Sequence, residues 1–73
     1  MTSPPPDISF VILTWNSAAT IGECFSGIQR SCGADGLVPE IIVVDNGSSD
    51  GTVSIIEQYA QELPITLIRY AGN

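Results

Sequence analysis

Apolar residues arrive in three short runs, separated by two stretches in which they recur at helical spacing. Ile8-Ser-Phe-Val-Ile-Leu13 and Glu40-Ile-Ile-Val-Val-Asp45 are nearly continuous β-branched and aromatic runs, the pattern of strands buried on both faces of a parallel sheet. Between them Ile21, Cys24, Phe25 and Ile28 fall at i, i+3, i+4 and i+7, which predicts a one-sided amphipathic helix within 17–32. Thr20 with Glu23 suits a capping box, Asn16 or Ser17 suits a cap one turn earlier, and Gly33 suits the position just past the helix end. After the polar run Asn46-Gly-Ser-Ser-Asp-Gly51, a second helix is predicted over 52–63, capped by Ser49 or Asp50 and stopped by Pro64. Its inner face is Val53, Ile56, Tyr59, Ala60 and Leu63. Ile65-Thr-Leu-Ile-Arg-Tyr70 reads as a third strand near a sheet edge.

Strand, helix, strand, helix, strand in that order implies right-handed crossovers and a three-stranded parallel sheet of the α/β class. Residues 1–7, with three consecutive prolines, read as a disordered tail ahead of one domain over 8–73. Parallel sheets call for helices on both faces and neighbours at open edges, so the sequence reads as the opening part of a larger domain. Strand one, left as an edge, would offer a second chain a place to pair.

Composition narrows the choice of partners. The 73 residues hold eight acids against Arg30 and Arg69, a formal charge of −6, so nucleic acid would be repelled and a diphosphate would need a cation or basic groups from elsewhere. Cys24 and Cys32 on one helix would sit about 12 Å apart along its axis, too far for a disulfide. Two free thiols suit a reducing cytoplasm. Cys24 is read as a small apolar residue on the packed stripe, and Cys32 is given no role. The N-terminus carries no signal-peptide pattern, and no apolar stretch is long enough to span a membrane.

In open parallel sheets ligands bind beyond the carboxyl ends of the strands. The residues there are Thr14-Trp15-Asn16-Ser17 after strand one and Asp45-Asn46-Gly47-Ser48 after strand two. An aromatic ring can stack on a base, and a carboxylate or amide can accept a ring N–H, so together they describe a nucleoside pocket. Packing of Trp15 at a strand end, an ordinary turn at Asp45-Asn46-Gly47 and capping by Ser49 and Asp50 are the plainer readings. No Gly-x-Gly-x-x-Gly or Gly-x-x-x-x-Gly-Lys-Ser/Thr is present, which removes the dinucleotide and P-loop alternatives.

Val11-Ile-Leu-Thr-Trp-Asn16 and Ile41-Ile-Val-Val-Asp-Asn-Gly-Ser-Ser-Asp-Gly-Thr52 closely resemble the start of family 2 glycosyltransferases. The resemblance implies a partial GT-A, Rossmann-like βαβαβ unit, in an enzyme that transfers sugar from a nucleotide-sugar donor to a glycan or lipid-linked acceptor in polysaccharide or cell-wall biosynthesis. It places Thr14, Trp15, Asn16, Asp45 and Asn46 along the nucleotide, with Trp15 where the family usually has Tyr. Many members carry two acids where this chain has Asp45-Asn46, a variant resembling a rhamnosyltransferase-like subset. The family's divalent cation, Mg²⁺ or Mn²⁺, and its catalytic base are implied to come from outside this segment, which would leave the segment inactive by itself. A cytoplasmic site, at the inner face of the plasma membrane in the full-length form, follows from the same resemblance. The alternative is a non-catalytic nucleotide-binding or assembly module using the exposed strand edge.

Overall fold

The structure, a computed structural model, describes residues 5–70. Its elements run β1 (Ile8–Thr14), α1 (Ile21–Asp35), β2 (Pro39–Asp45), α2 (Thr52–Tyr59) and β3 (Ile65–Arg69). The strands form one parallel sheet in the order β1-β2-β3, the βαβαβ unit that the apolar runs predict. β2 is central, which fits its four consecutive β-branched residues.

Both strand crossings move across the sheet in the same direction, so two right-handed connections put both helices on one face. The core lies between that face and the helices. Ile41 and Val43 meet Ile21, Phe25, Ile28 and Cys32 of α1, Ile56 of α2 and Leu63 after it, with Phe10, Ile12, Ile65 and Leu67 packed around them. The helices touch each other through Phe25 and Tyr59, whose ring centres are 5.3 Å apart in a tilted arrangement. Gly22 admits that ring, because a Cβ there would lie 3.3 Å from the Tyr59 hydroxyl.

The opposite face departs from the expectation of strands buried on both sides. Val11 and Leu13 are 69% and 77% exposed, Ile68 is exposed, and Ile42 and Val44 are only half-buried. A period-two strand sends alternate side chains to opposite faces, and residues 5–70 carry helices for one face only.

Several boundaries differ from the sequence reading. α1 begins at Ile21 after Thr20, whose side chain makes no cap bond, so the Thr20–Glu23 capping box does not form; the N–H groups of Thr20 and Ile21 bond to the Ser17 carbonyl instead. The helix runs past Gly33 and ends at Gly36, where φ of 68° needs a residue without a Cβ. The longer helix carries its stripe onward as Ile21, Phe25, Ile28 and Cys32, so Cys32 is the buried thiol and Cys24 the exposed one. Both cysteines are free. On α2 the inner face takes Thr52 and Ile55 with Ile56, and Ala60 is exposed.

The expected disordered tail falls partly outside the described residues, at 1–4. Asp7 itself is tied down: its N–H donates to the Val38 carbonyl at 2.7 Å, and its carboxylate accepts the Val38 N–H at 2.7 Å. A shallow concavity of about 350 Å³ lies at this amino end of the sheet, lined by Pro6, Val38, Pro39, Glu40, Pro64, Ile65 and Thr66. It sits opposite the end where strand-end chemistry gathers.

Candidate functional site

In-register pairing sets Thr14 beside Asp45 at the carboxyl ends of β1 and β2. Both face the helix side and both are buried, Asp45 to 2% exposure. The Thr14 hydroxyl donates to Asp45 Oδ1 at 2.6 Å. The chain then turns at Gly47, whose φ of 79° suits glycine, and brings Ser48 back onto the same carboxylate. The Ser48 hydroxyl donates to Oδ1 at 2.6 Å and the Ser48 N–H to Oδ2 at 2.9 Å.

Burial pushes the Asp45 carboxyl up, but the hydrogen bonds from the Ser48 and Thr14 hydroxyls and from the Ser48 and Gly47 backbones outweigh it and hold the carboxyl below its usual value. Asp45 is therefore an ionised anchor, with Oδ1 accepting both hydroxyls and Oδ2 the Ser48 N–H. Asn46, the next residue, is exposed at the rim, with its backbone N–H held by the Thr14 carbonyl at 2.9 Å. Trp15, one residue beyond β1, is 61% exposed. Among the described residues the indole takes no part in the core cluster.

The two strand-end loops are bonded to each other. Asn16 adopts a left-handed φ of 48°, a conformation that Asn tolerates better than most residues. Its N–H donates to Ser48 Oγ at 2.8 Å, and its side-chain oxygen accepts the Ser49 N–H at 2.8 Å. The Ser17 N–H reaches the buried Thr52 hydroxyl at 2.8 Å, and the Ala18 N–H reaches Asp50 Oδ2 at 3.2 Å. Asp50 Oδ1 accepts both the N–H, at 3.1 Å, and the hydroxyl of Thr52. That pair of bonds, the hydroxyl contact foremost, lowers the Asp50 carboxyl from its usual value.

The N-cap position of α2 is Gly51, without a side-chain cap, so neither Ser49 nor Asp50 is the N-cap residue expected; Ser49 gives its N–H to Asn16 instead. Asp50 secures the start of α2 with one oxygen and the opposite loop with the other. These partners lie 31 to 35 residues apart in sequence, so no local pattern exposes them.

Of the five residues expected along a nucleotide, Trp15, Asn16 and Asn46 are exposed on one rim, and Thr14 and Asp45 lie buried directly beneath them. Among the described residues no three His, Cys, Asp or Glu side chains come together to hold a metal ion. None of the helices among them is long and apolar enough to cross a membrane.

The glycosyl transferase family 2 model matches residues 9–73. The glycosyltransferase AglE of Haloferax volcanii is 37% identical over 60 residues, which is 82% of this chain and 19% of that protein. The lipopolysaccharide core biosynthesis glycosyltransferase LpsC of Rhizobium meliloti is 32% identical over 56 residues, 77% of this chain and 18% of that protein. Among solved structures, S. aureus TarS 1-349 in complex with UDP superposes with a TM-score of 0.75 at 25% identity, over 90% of this chain and 19% of that one. The mannosyltransferase PcManGT of Pyrobaculum calidifontis, in complex with GDP-Man and Mn²⁺, gives 0.71 at 26% identity, over 97% and 21%. The chain thus spans about a fifth of the length of the relatives it matches.

Proposed function

The chain belongs to glycosyl transferase family 2, and from that premise we propose that its rim binds the nucleoside part of a nucleotide-sugar donor for transfer of the sugar to a glycan or lipid-linked acceptor. The observation that carries this reading is an exposed indole beside an exposed amide at the carboxyl ends of adjacent parallel strands, where such sheets bind ligands. Trp15 stacks on the base, and Asn46 presents a carbonyl to a ring N–H and an N–H₂ to a ring carbonyl, without adding charge. Asn16 borders the same surface, while Thr14 and Asp45 act from below by holding the strand ends together. The named neighbours, one in complex with UDP and one with GDP-Man, support a nucleotide-sugar donor and leave the base open. The Asp45-Asn46 pair matches the rhamnosyltransferase-like subset and leaves the donor sugar open.

The divalent ion proposed for the working enzyme is supported by the Mn²⁺ complex of PcManGT, and its ligands and the catalytic base are proposed to come from outside this segment. The ion would neutralise the leaving diphosphate. By this reading the 73-residue chain binds nucleotide and is catalytically silent. A cytoplasmic setting, with membrane association in a longer form, fits two free thiols.

Trp15 is the single tryptophan, so its fluorescence reports the rim directly. Titration with uridine and thymidine diphosphates, with and without Mn²⁺, is expected to change its emission saturably, and a flat response to all of them refutes the reading. The uncovered β1 edge favours a second reading, a non-catalytic module assembling through that edge. Sedimentation of a tight oligomer would support it, and a monomer at all concentrations would count against it.

A further inference from the structure

The hydrogen bonds between the strand-end loops exceed what two independent turns require. The first loop donates the N–H groups of Asn16, Ser17 and Ala18 to Ser48, Thr52 and Asp50, and receives the Ser49 N–H on the Asn16 side chain. Three donors run from the first loop and one from the second, so neither loop can shift without breaking bonds in both. Ser48 is the junction, because one hydroxyl donates to the buried Asp45 carboxylate and accepts from Asn16. Asp50 is the second junction, bonded at once to Ala18 and to Thr52 at the start of α2. The residues thus clamped flank Trp15 on one side and Asn46 on the other.

We infer that Ser48 and Asp50 are positioning residues: they lock the two loops into one preformed ledge, which sets Trp15 and Asn46 at a fixed spacing before any nucleotide arrives. This rests on the nucleoside reading of the rim. A base that stacks on Trp15 and pairs with Asn46 needs both at once, and loops ordered only on binding would charge that ordering against affinity. The lock removes the cost in advance. It also gives the buried, ionised Asp45 a part in the lock: the carboxylate holds Ser48, and Ser48 holds the Trp15 loop.

Asp50→Asn is the selective test, since its amide oxygen still accepts from Thr52 while the second acceptor for Ala18 is lost. Amide hydrogen exchange in the ligand-free 73-residue chain comes first. The Asn16, Ala18 and Ser49 N–H groups are expected to be protected in the parent, with Ala18 losing protection in Asp50→Asn while core amides of β2 stay protected. The dissociation constant for uridine diphosphate should then rise about tenfold with an unchanged unfolding midpoint, the scale of one newly ordered side chain or loop residue. Ser48→Ala should weaken binding likewise, and Ser48→Thr should restore it, which a general loss of stability would not produce. Unprotected loop amides in the parent overturn the lock whatever the binding result. Ala18 deprotection without any loss of affinity overturns the positioning role. Protected amides in a parent that binds no nucleotide refute the functional reading and reduce the lock to fold architecture.

Discussion

The strand-end rim and the uncovered sheet face both belong to β1 and β2, and both show side chains to solvent for opposite reasons. At the rim every buried polar group is answered: Asp45 accepts from Thr14 and Ser48, and no buried side-chain nitrogen or oxygen among the described residues lacks a partner. What remains outside is the Trp15 indole with Asn16 and Asn46. On the open face Val11, Leu13 and Ile68 stand in water with nothing packed over them. Exposure of a large apolar side chain therefore carries two proposed meanings here, a ligand platform where the surroundings are satisfied and a packing surface where they are not.

Removing the rim's anchor should have the largest effect. Asp45→Ala takes the acceptor from the Thr14 hydroxyl and from both donors of Ser48, and should cost about 3 kcal/mol by urea denaturation, enough to threaten a chain this small. The same carboxylate sets the acid limit. Its folded value lies below the usual 3.8, so its stabilisation is complete above that pH and is lost as pH falls through the lower folded value. Unfolding midpoints should thus hold steady from neutrality down to the model-peptide value and drop below it, with a shallower drop in Asp45→Asn. A midpoint that declines steadily from neutral pH would remove Asp45 from its place as anchor.

Trp15→Ala tests the platform. It should leave folding stability within about 0.5 kcal/mol, because the indole is mostly in water, yet weaken nucleotide binding by about 1–3 kcal/mol in calorimetry. Leu13→Thr tests the other region and should do least. In the 73-residue chain it should move stability by under about 0.5 kcal/mol while reducing self-association measured by sedimentation. A destabilisation as large as that of Asp45→Ala would mean that the open face is already packed.

Much of the fold was legible in the order of apolar runs. Three strands, two helices, parallel pairing and the two strand-end motifs follow from periodicity and from the rule for right-handed crossovers. The faces were not legible, because a run such as Ile41-Ile-Val-Val44 is apolar on both sides whether or not both are covered. Helix ends drifted for local reasons. Gly33 is tolerated inside α1, and Gly36, three residues on, takes the left-handed cap. The packed stripe is Ile21, Phe25, Ile28 and Cys32, and Cys24, at its flank, stands in water. At the site, Trp15 and Asp45 could be singled out by position, but the division between an exposed Asn46 and a consumed Asp45 depends on Thr14, 31 residues away, and on the turn at Gly47. Ser48 and Asp50 read locally as turn and cap residues, and their bonds to the first loop appear only in three dimensions.

The central claim is that a nucleoside sits on the rim at the carboxyl ends of β1 and β2. Backbone and indole chemical-shift mapping of the 73-residue chain during titration with uridine diphosphate tests it most directly. The shifts are expected to concentrate on Trp15, Asn16 and Asn46 and to leave Val38, Glu40 and Thr66 at the amino end unmoved. Shifts centred on that amino-end concavity, with the Trp15 indole silent, would contradict it.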